Sequence, residues 1–137
     1  MEITIQKLID LLNADVELEY AAAIQYTNHA AVMSGADCAG IIRELENYAK
    51  EEIQHAAILS NQIRCLGGVP IVTVAKVHTS KDGQKMLKQD LNTRNNAVKR
   101  FKTRIEQAES LQLFVLAQQL RDILTDEESH LLNKMMA

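Results

Sequence analysis

The chain has 137 residues, enough for one domain with a buried core. Apolar residues make up 47% and charged residues 24%, and the formal net charge is −3. That balance argues against nucleic acid as a partner, because binding phosphates needs a basic excess. The absence of Trp, with only three Tyr and two Phe, also argues against a base-stacking platform.

No basic n-region or long apolar h-region follows Met1-Glu2-Ile3-Thr4. No window approaches the roughly 18 consecutive apolar residues of a membrane span. A cytoplasmic protein with no membrane partner is therefore expected. Only one Pro and five Gly interrupt a sequence rich in good helix formers, so an all-α fold is expected.

The first helix is predicted over residues 3–33. Its apolar stripe is Ile5, Leu8, Leu12, Val16, Ala23, Tyr26, Ala30 and Met33. Asp37 is the expected N-cap of a second helix over 38–66, on the stripe Ile41, Leu45, Tyr48, Leu59, Ile63 and Leu66. Gly67-Gly68-Val69-Pro70 ends it. Cys38 and Cys65 would lie about 40 Å apart along that helix, so they are expected as reduced thiols.

Residues 67–82 include an alternating stretch, Ile71 to Val77, that would have no strand partner in a helical chain. An extended crossover of about 50 Å is the expected form, long enough to make the flanking helices parallel. A third helix is predicted over 83–109 on Leu87, Leu91, Val98, Phe101, Ile105 and Ala108. A fourth, over 111–135 with Ser110 as cap, uses Leu113, Leu116, Leu120, Ile123 and Leu131. No Gly or Pro marks that last boundary, so one continuous helix is the alternative.

Two motifs carry the chemistry. Glu52-Ile53-Gln54-His55 and Glu127-Glu128-Ser129-His130 both read Glu-x-x-His, at an offset of 75 residues. Each lies on the apolar face of its helix, and Glu19 joins them from the first helix. A buried carboxylate is costly unless it is paired or metal-bound. Glu19, Glu52, His55, Glu127 and His130 are therefore the expected metal ligands. His29 and His78 are read as structural or exposed.

The two halves echo each other at the same offset. Asp15 maps to Asp90, Tyr26 to Phe101, Glu52 to Glu127 and His55 to His130. Glu19 lies 33 residues before Glu52, whereas the position 33 before Glu127 is Arg94. A symmetric site expects a carboxylate there, and the chain supplies a guanidinium.

These residues resemble the ferritin-like superfamily, most closely bacterioferritin, over nearly the whole chain. The carriers are Glu19, Gln25-Tyr26, Glu52-x-x-His55, Asp90-Leu91 and Asp126-Glu127-Glu128-Ser129-His130. Rubrerythrin-type proteins share the ligand logic. The resemblance implies one ferritin-like antiparallel four-helix-bundle domain over 1–137, with a long crossover after the second helix. It implies iron as cofactor: Glu19 and His55 terminal on one ion, Glu52 and Glu127 bridging, and His130 on the second ion. Zinc or another divalent metal suits the same donors. Tyr26 is expected beside the site in a hydrogen-bonding or redox role, and a homodimer or higher homo-oligomer is expected.

The chain departs from that pattern at three places. Arg94 replaces the third-helix glutamate. Ile53 stands where bacterioferritin carries its haem-ligating Met, so no haem is expected. The fourth helix stops soon after His130 with no fifth helix, which argues against a storage cage. Arginine has no lone pair for a metal, but it can replace a cation. Four carboxylates match two divalent ions; three match one divalent ion plus one guanidinium. The expectation is a one-metal or impaired ferroxidase site, with Arg94 on the second-metal side touching Glu127, Glu52 or Asp90. A rubrerythrin-like peroxide or dioxygen reductase is the enzymatic alternative, and a non-catalytic metal-sensing or partner-binding dimer is the third reading.

Overall fold

The computed structural model describes residues 2–33 and 38–136, with side chains up to His130. Four helices form: α1 (Ile5–Val32), α2 (Ala39–Cys65), α3 (Gly83–Ser110) and α4 (Phe114–Met136). No strand occurs among the described residues. The cap expected at Asp37 and the stripe position Leu131 lie outside what is described.

The helix boundaries have local causes. Thr4 Oγ1 accepts from Lys7 N at 3.1 Å and opens α1. Asp82 Oδ1 accepts from Gln84 N at 3.0 Å and opens α3. After α2, Gly67 turns at φ 88°, a left-handed conformation that suits glycine. Gly68 then packs so tightly that a Cβ there would lie 2.7 Å from Ile9 Cγ2.

The α3–α4 boundary corrects the sequence reading. Ser110 does not cap α4. It ends α3, and its hydroxyl donates to the Gln107 carbonyl at 2.7 Å. The turn is made by Gln112 at φ 60°, with Leu113 N donating to Ala108 O at 2.9 Å. A non-glycine residue in the left-handed region explains why no Gly or Pro marks the break. Ile5 also departs from its expected core position, since the first turn of α1 leaves it exposed.

Partners across the bundle fix its directions. Asp15 meets Arg104 while His29 meets Asp90, so α1 and α3 are antiparallel. His55 meets Asp126 while Glu51 meets His130, so α2 and α4 are antiparallel. The closest packing is of α1 on α2 and of α3 on α4. The parallel pair α2 and α3 therefore sits on a diagonal, joined by the long crossover. Rungs from α1 hold that crossover down: Asn13 Oδ1 accepts from Ile71 N at 2.8 Å, Glu17 O from Ala75 N at 3.1 Å, and Gln25 Oε1 from His78 N at 3.1 Å.

His29 is the last rung. It is fully buried, with Nδ1 2.9 Å from Asp90 Oδ2 and Nε2 3.0 Å from the His78 carbonyl. A carbonyl only accepts, so Nε2 is the donor to His78. His29→Ala removes one member of a buried pair and frees the crossover. A loss of about 3 kcal/mol in denaturant unfolding is expected; a loss under about 1 kcal/mol would remove this rung from the account.

The apolar core is split. One cluster gathers Leu8, Leu12, Val16, Leu59, Ile63, Phe101, Leu120 and Ile123. A second gathers Ala22, Tyr26, Leu45, Tyr48 and Ala49. Between them lies a belt of buried charge.

Candidate metal centre

Four side chains converge in that belt. Glu19 comes from α1, Glu52 and His55 from α2 and Glu127 from α4, and all are buried. One ligand atom of each lies within 4.8 Å of all the others. Helix periodicity brings them there: Glu52 and His55 are three residues apart and share a face, and Glu19 continues the Leu12–Val16 stripe.

His55 Nδ1 is 3.3 Å from Glu127 Oε1, 3.4 Å from Glu52 Oε1 and 3.6 Å from Glu19 Oε2. None of these contacts is a hydrogen bond. Glu19 Oε2, Glu52 Oε1, both Glu127 carboxylate oxygens and His55 Nδ1 are all buried without a hydrogen-bond partner. Buried polar atoms are nearly always partnered. Five orphans converging from three helices are what a divalent cation would satisfy, and carboxylate plus imidazole suit iron or zinc. The residues present therefore fit a metal ion.

Without metal, protons take its place. Burial raises the Glu52 carboxyl well above its usual range, and Glu19 and Glu127 push it further. Burial opposes charge on His55, but the carboxylates of Glu127, Glu19 and Glu52 outweigh it and hold the imidazole well above its usual value. Burial acts against ionisation of Glu127 too; His55, Glu52 and Arg94 overcome it and hold that carboxyl below the usual range.

Each histidine is steered by an acid from the opposite motif. His55 Nε2 lies 2.9 Å from Asp126 Oδ2, which turns Nδ1 toward the cluster. His130 Nε2 pairs with Glu51. Glu51 and Asp126 are themselves related by the 75-residue offset, and each immediately precedes a Glu-x-x-His. Sequence reasoning gave neither a role; the acid before each motif was the available signal.

The second half differs from the first. His130 lies outside the four-residue cluster, its ring tilted on Tyr48 at a centroid distance of 4.1 Å, and its Nδ1 has no partner. Burial, then the Arg94 charge, press its pKa down to about 4, so the imidazole is neutral near pH 7. Arg94 is fully buried. Its guanidinium carbon sits 3.7 Å from the Tyr48 ring centroid and 4.8 Å from that of Tyr26. Arg94 is expected to touch Glu127, Glu52 or Asp90; its charge acts on Glu127, but all three of its side-chain nitrogens lack a hydrogen-bond partner among the described residues. Two aromatic faces take that role, since a desolvated guanidinium is attracted by ring quadrupoles. The Tyr26 hydroxyl is also buried and unpartnered. Burial pushes its pKa well up, so it stays protonated.

The offset repeat holds in the tertiary contacts. Asp15 is bound by Arg100 and Arg104. Its mate Asp90 is bound by Gln25 and His29, which are the mates of Arg100 and Arg104. Arg94 thus takes the place two-fold related to Glu19. A pocket of about 280 Å³ between α1, α3 and the crossover reaches Glu19, Glu52 and Tyr26 past Arg100 and Lys76.

Four antiparallel helices with a long crossover, around buried carboxylates and histidines, define a ferritin-like bundle. Residues 9–134 match the ferritin-like domain family, and the chain belongs to it. It is similar to a ferritin-like diiron-carboxylate protein from Bacillus anthracis str. Ames, at 31% identity over 99% of this chain and 98% of that one, with a TM-score of 0.93. It is also similar to the bacterioferritin-related protein of Bacteroides fragilis, a dodecameric thioferritin, at 26% identity over 98% and 85%, with a TM-score of 0.88.

Proposed function

We infer that this is a bacterioferritin-like iron-binding protein that takes one divalent metal per chain, on Glu19, Glu52, His55 and Glu127. One observation carries the reading: these unpartnered donors converge on one side, while a guanidinium fills the place related to Glu19 on the other. When bound, iron supplies one-electron chemistry toward dioxygen or peroxide. The chain's own groups prepare for it. Asp126 turns His55 Nδ1 inward, Glu127 presents two free oxygens, and Arg94 supplies the charge that a second ion would bring. His130 stays neutral and in reserve. The role is iron binding and homeostasis, with ferroxidase turnover impaired by the missing second ion.

Assembly belongs to the same reading. The α1–α2 face exposes Ile24 and Ile53 beside the crossover residues Val72 and Val74. That apolar surface suits a homo-oligomer, and the dodecameric relative supports one. The free Cys38 and Cys65 suit a reducing cytoplasm. No helix among the described residues is long and apolar enough to cross a membrane.

The test is elemental analysis with calorimetric titration by Fe(II) or Co(II). One ion per chain is expected; two would sink the half-site. Binding must displace the protons on His55 and Glu52, so the titration heat is expected to vary with the buffer's ionisation enthalpy. Affinity then rises with pH, because fewer protons compete for the ligands. Buffer-independent heats would refute this protonated resting state.

A further inference from the structure

Arg100 is not a metal ligand, yet it reaches one. Its Nε donates to Asp15 Oδ1 at 3.1 Å and its Nη2 to Glu19 Oε1 at 3.4 Å. Asp15 is fully buried and is itself pinned by Arg104, at 2.8 Å from Nε and 3.3 Å from Nη2. The chain Arg104–Asp15–Arg100–Glu19 therefore runs from a fixed buried carboxylate to one oxygen of Glu19. The other oxygen, Oε2, is the unpartnered one and lies 3.6 Å from His55 Nδ1. Holding Oε1 leaves Oε2 as the atom offered to the centre.

The two-fold mate of this clamp is missing. Gln25 stands where Arg100 would recur. Its amide nitrogen goes to Asp90 at 3.0 Å and Thr93 Oγ1 at 3.1 Å, and its oxygen accepts from His78 N. Beyond Asp90 it has no second carboxylate to hold, because residue 94 is arginine. A cation at position 25 would also face the buried Arg94 charge across the same helix pair. Both halves keep the aspartate, but only one keeps an arginine aimed at a carboxylate.

We propose that Arg100 is a positioning residue: anchored on Asp15, it fixes Glu19 with Oε2 turned to the metal position, and so raises the metal affinity of this half of the repeat. This rests on the metal reading given above. Groups that orient a ligand from behind contribute about 10- to 100-fold in metal affinity. Arg100 is one-fifth exposed, at the wall of the pocket that reaches Glu19. Its replacement is therefore a milder change than replacing Arg94 or Asp15.

The test compares R100Q and R100K with the wild-type full chain, by Co(II) calorimetry and by melting of the metal-free protein. R100Q is expected to raise the Co(II) Kd at least about tenfold. R100K, which keeps a charge able to reach Glu19, is expected to recover most of that loss. A purely structural role would lower the metal-free Tm and leave the Kd of the folded protein unchanged. An R100Q Kd equal to wild type overturns the proposal while leaving the metal reading intact. So does an R100K loss as deep as that of R100Q. A wild-type chain that takes up no Co(II) overturns both.

Discussion

Arg94→Glu is expected to raise the metal content from one divalent ion per chain to two. The variant restores a fourth carboxylate at the place related to Glu19 and removes the charge that stands in for an ion. His130 is already suited to the second position, with Nδ1 unpartnered and the ring neutral near pH 7. The metal-free variant should suffer. It loses the stacking of the guanidinium on Tyr48 and Tyr26, worth about 2 kcal/mol when desolvated. It also gains a buried carboxylate without a partner, for a total of about 3–5 kcal/mol. At roughly 3 °C per kcal/mol for a chain of this size, the metal-free Tm should fall by about 10 °C. Two ions binding only the native state should then restore it. Elemental analysis and calorimetry in chelator and in Fe(II) decide the matter. A stoichiometry that stays at one per chain would show that Arg94 is not what closes the second position.

Glu52→Gln should act in opposite directions on stability and binding. In the metal-free protein Glu52 is crowded by burial, Glu19 and Glu127, and its pKa lies well above the usual value. The native state therefore keeps a proton that the unfolded chain releases above about pH 4.5. Stability then falls as pH rises from there toward the raised native value. Near neutral pH the residue costs stability, and glutamine, an isostere of the protonated form, removes that cost. A gain of about 1–3 kcal/mol is expected, the usual cost of a buried polar or charged group left unsatisfied. Metal affinity should fall at least about 100-fold, beyond the usual loss for a group that only supports a ligand. A variant that melts lower than wild type and still binds Fe(II) as tightly would contradict both halves of this account.

The pattern of trade is the one expected of a functional site. Glu52 and Glu127 sit where an apolar pair would stabilise the bundle without conflict. The clusters above and below them carry the fold. The centre is therefore tolerated by the surrounding core rather than contributing to it.

The sequence by itself determined the helical period, the crossover and the ligand faces. Those rest on relations within one helix: residues three or four apart share a side, so Glu52 and His55 had to point together, and the 75-residue echo exposed Arg94. Tertiary structure decided everything that depends on the rotation of one helix against another. It sent His55 to Asp126 and His130 to Glu51 across the α2–α4 pair. It let Gln112 take a left-handed turn that its side chain does not announce. It seated Arg94 between Tyr26 and Tyr48 instead of on a carboxylate, and it gave Arg100 to Glu19 and Gln25 to the crossover. Spacing along a chain fixes a face. Which atoms meet across that face depends on interhelical packing, where a shift of about one side chain changes the partner.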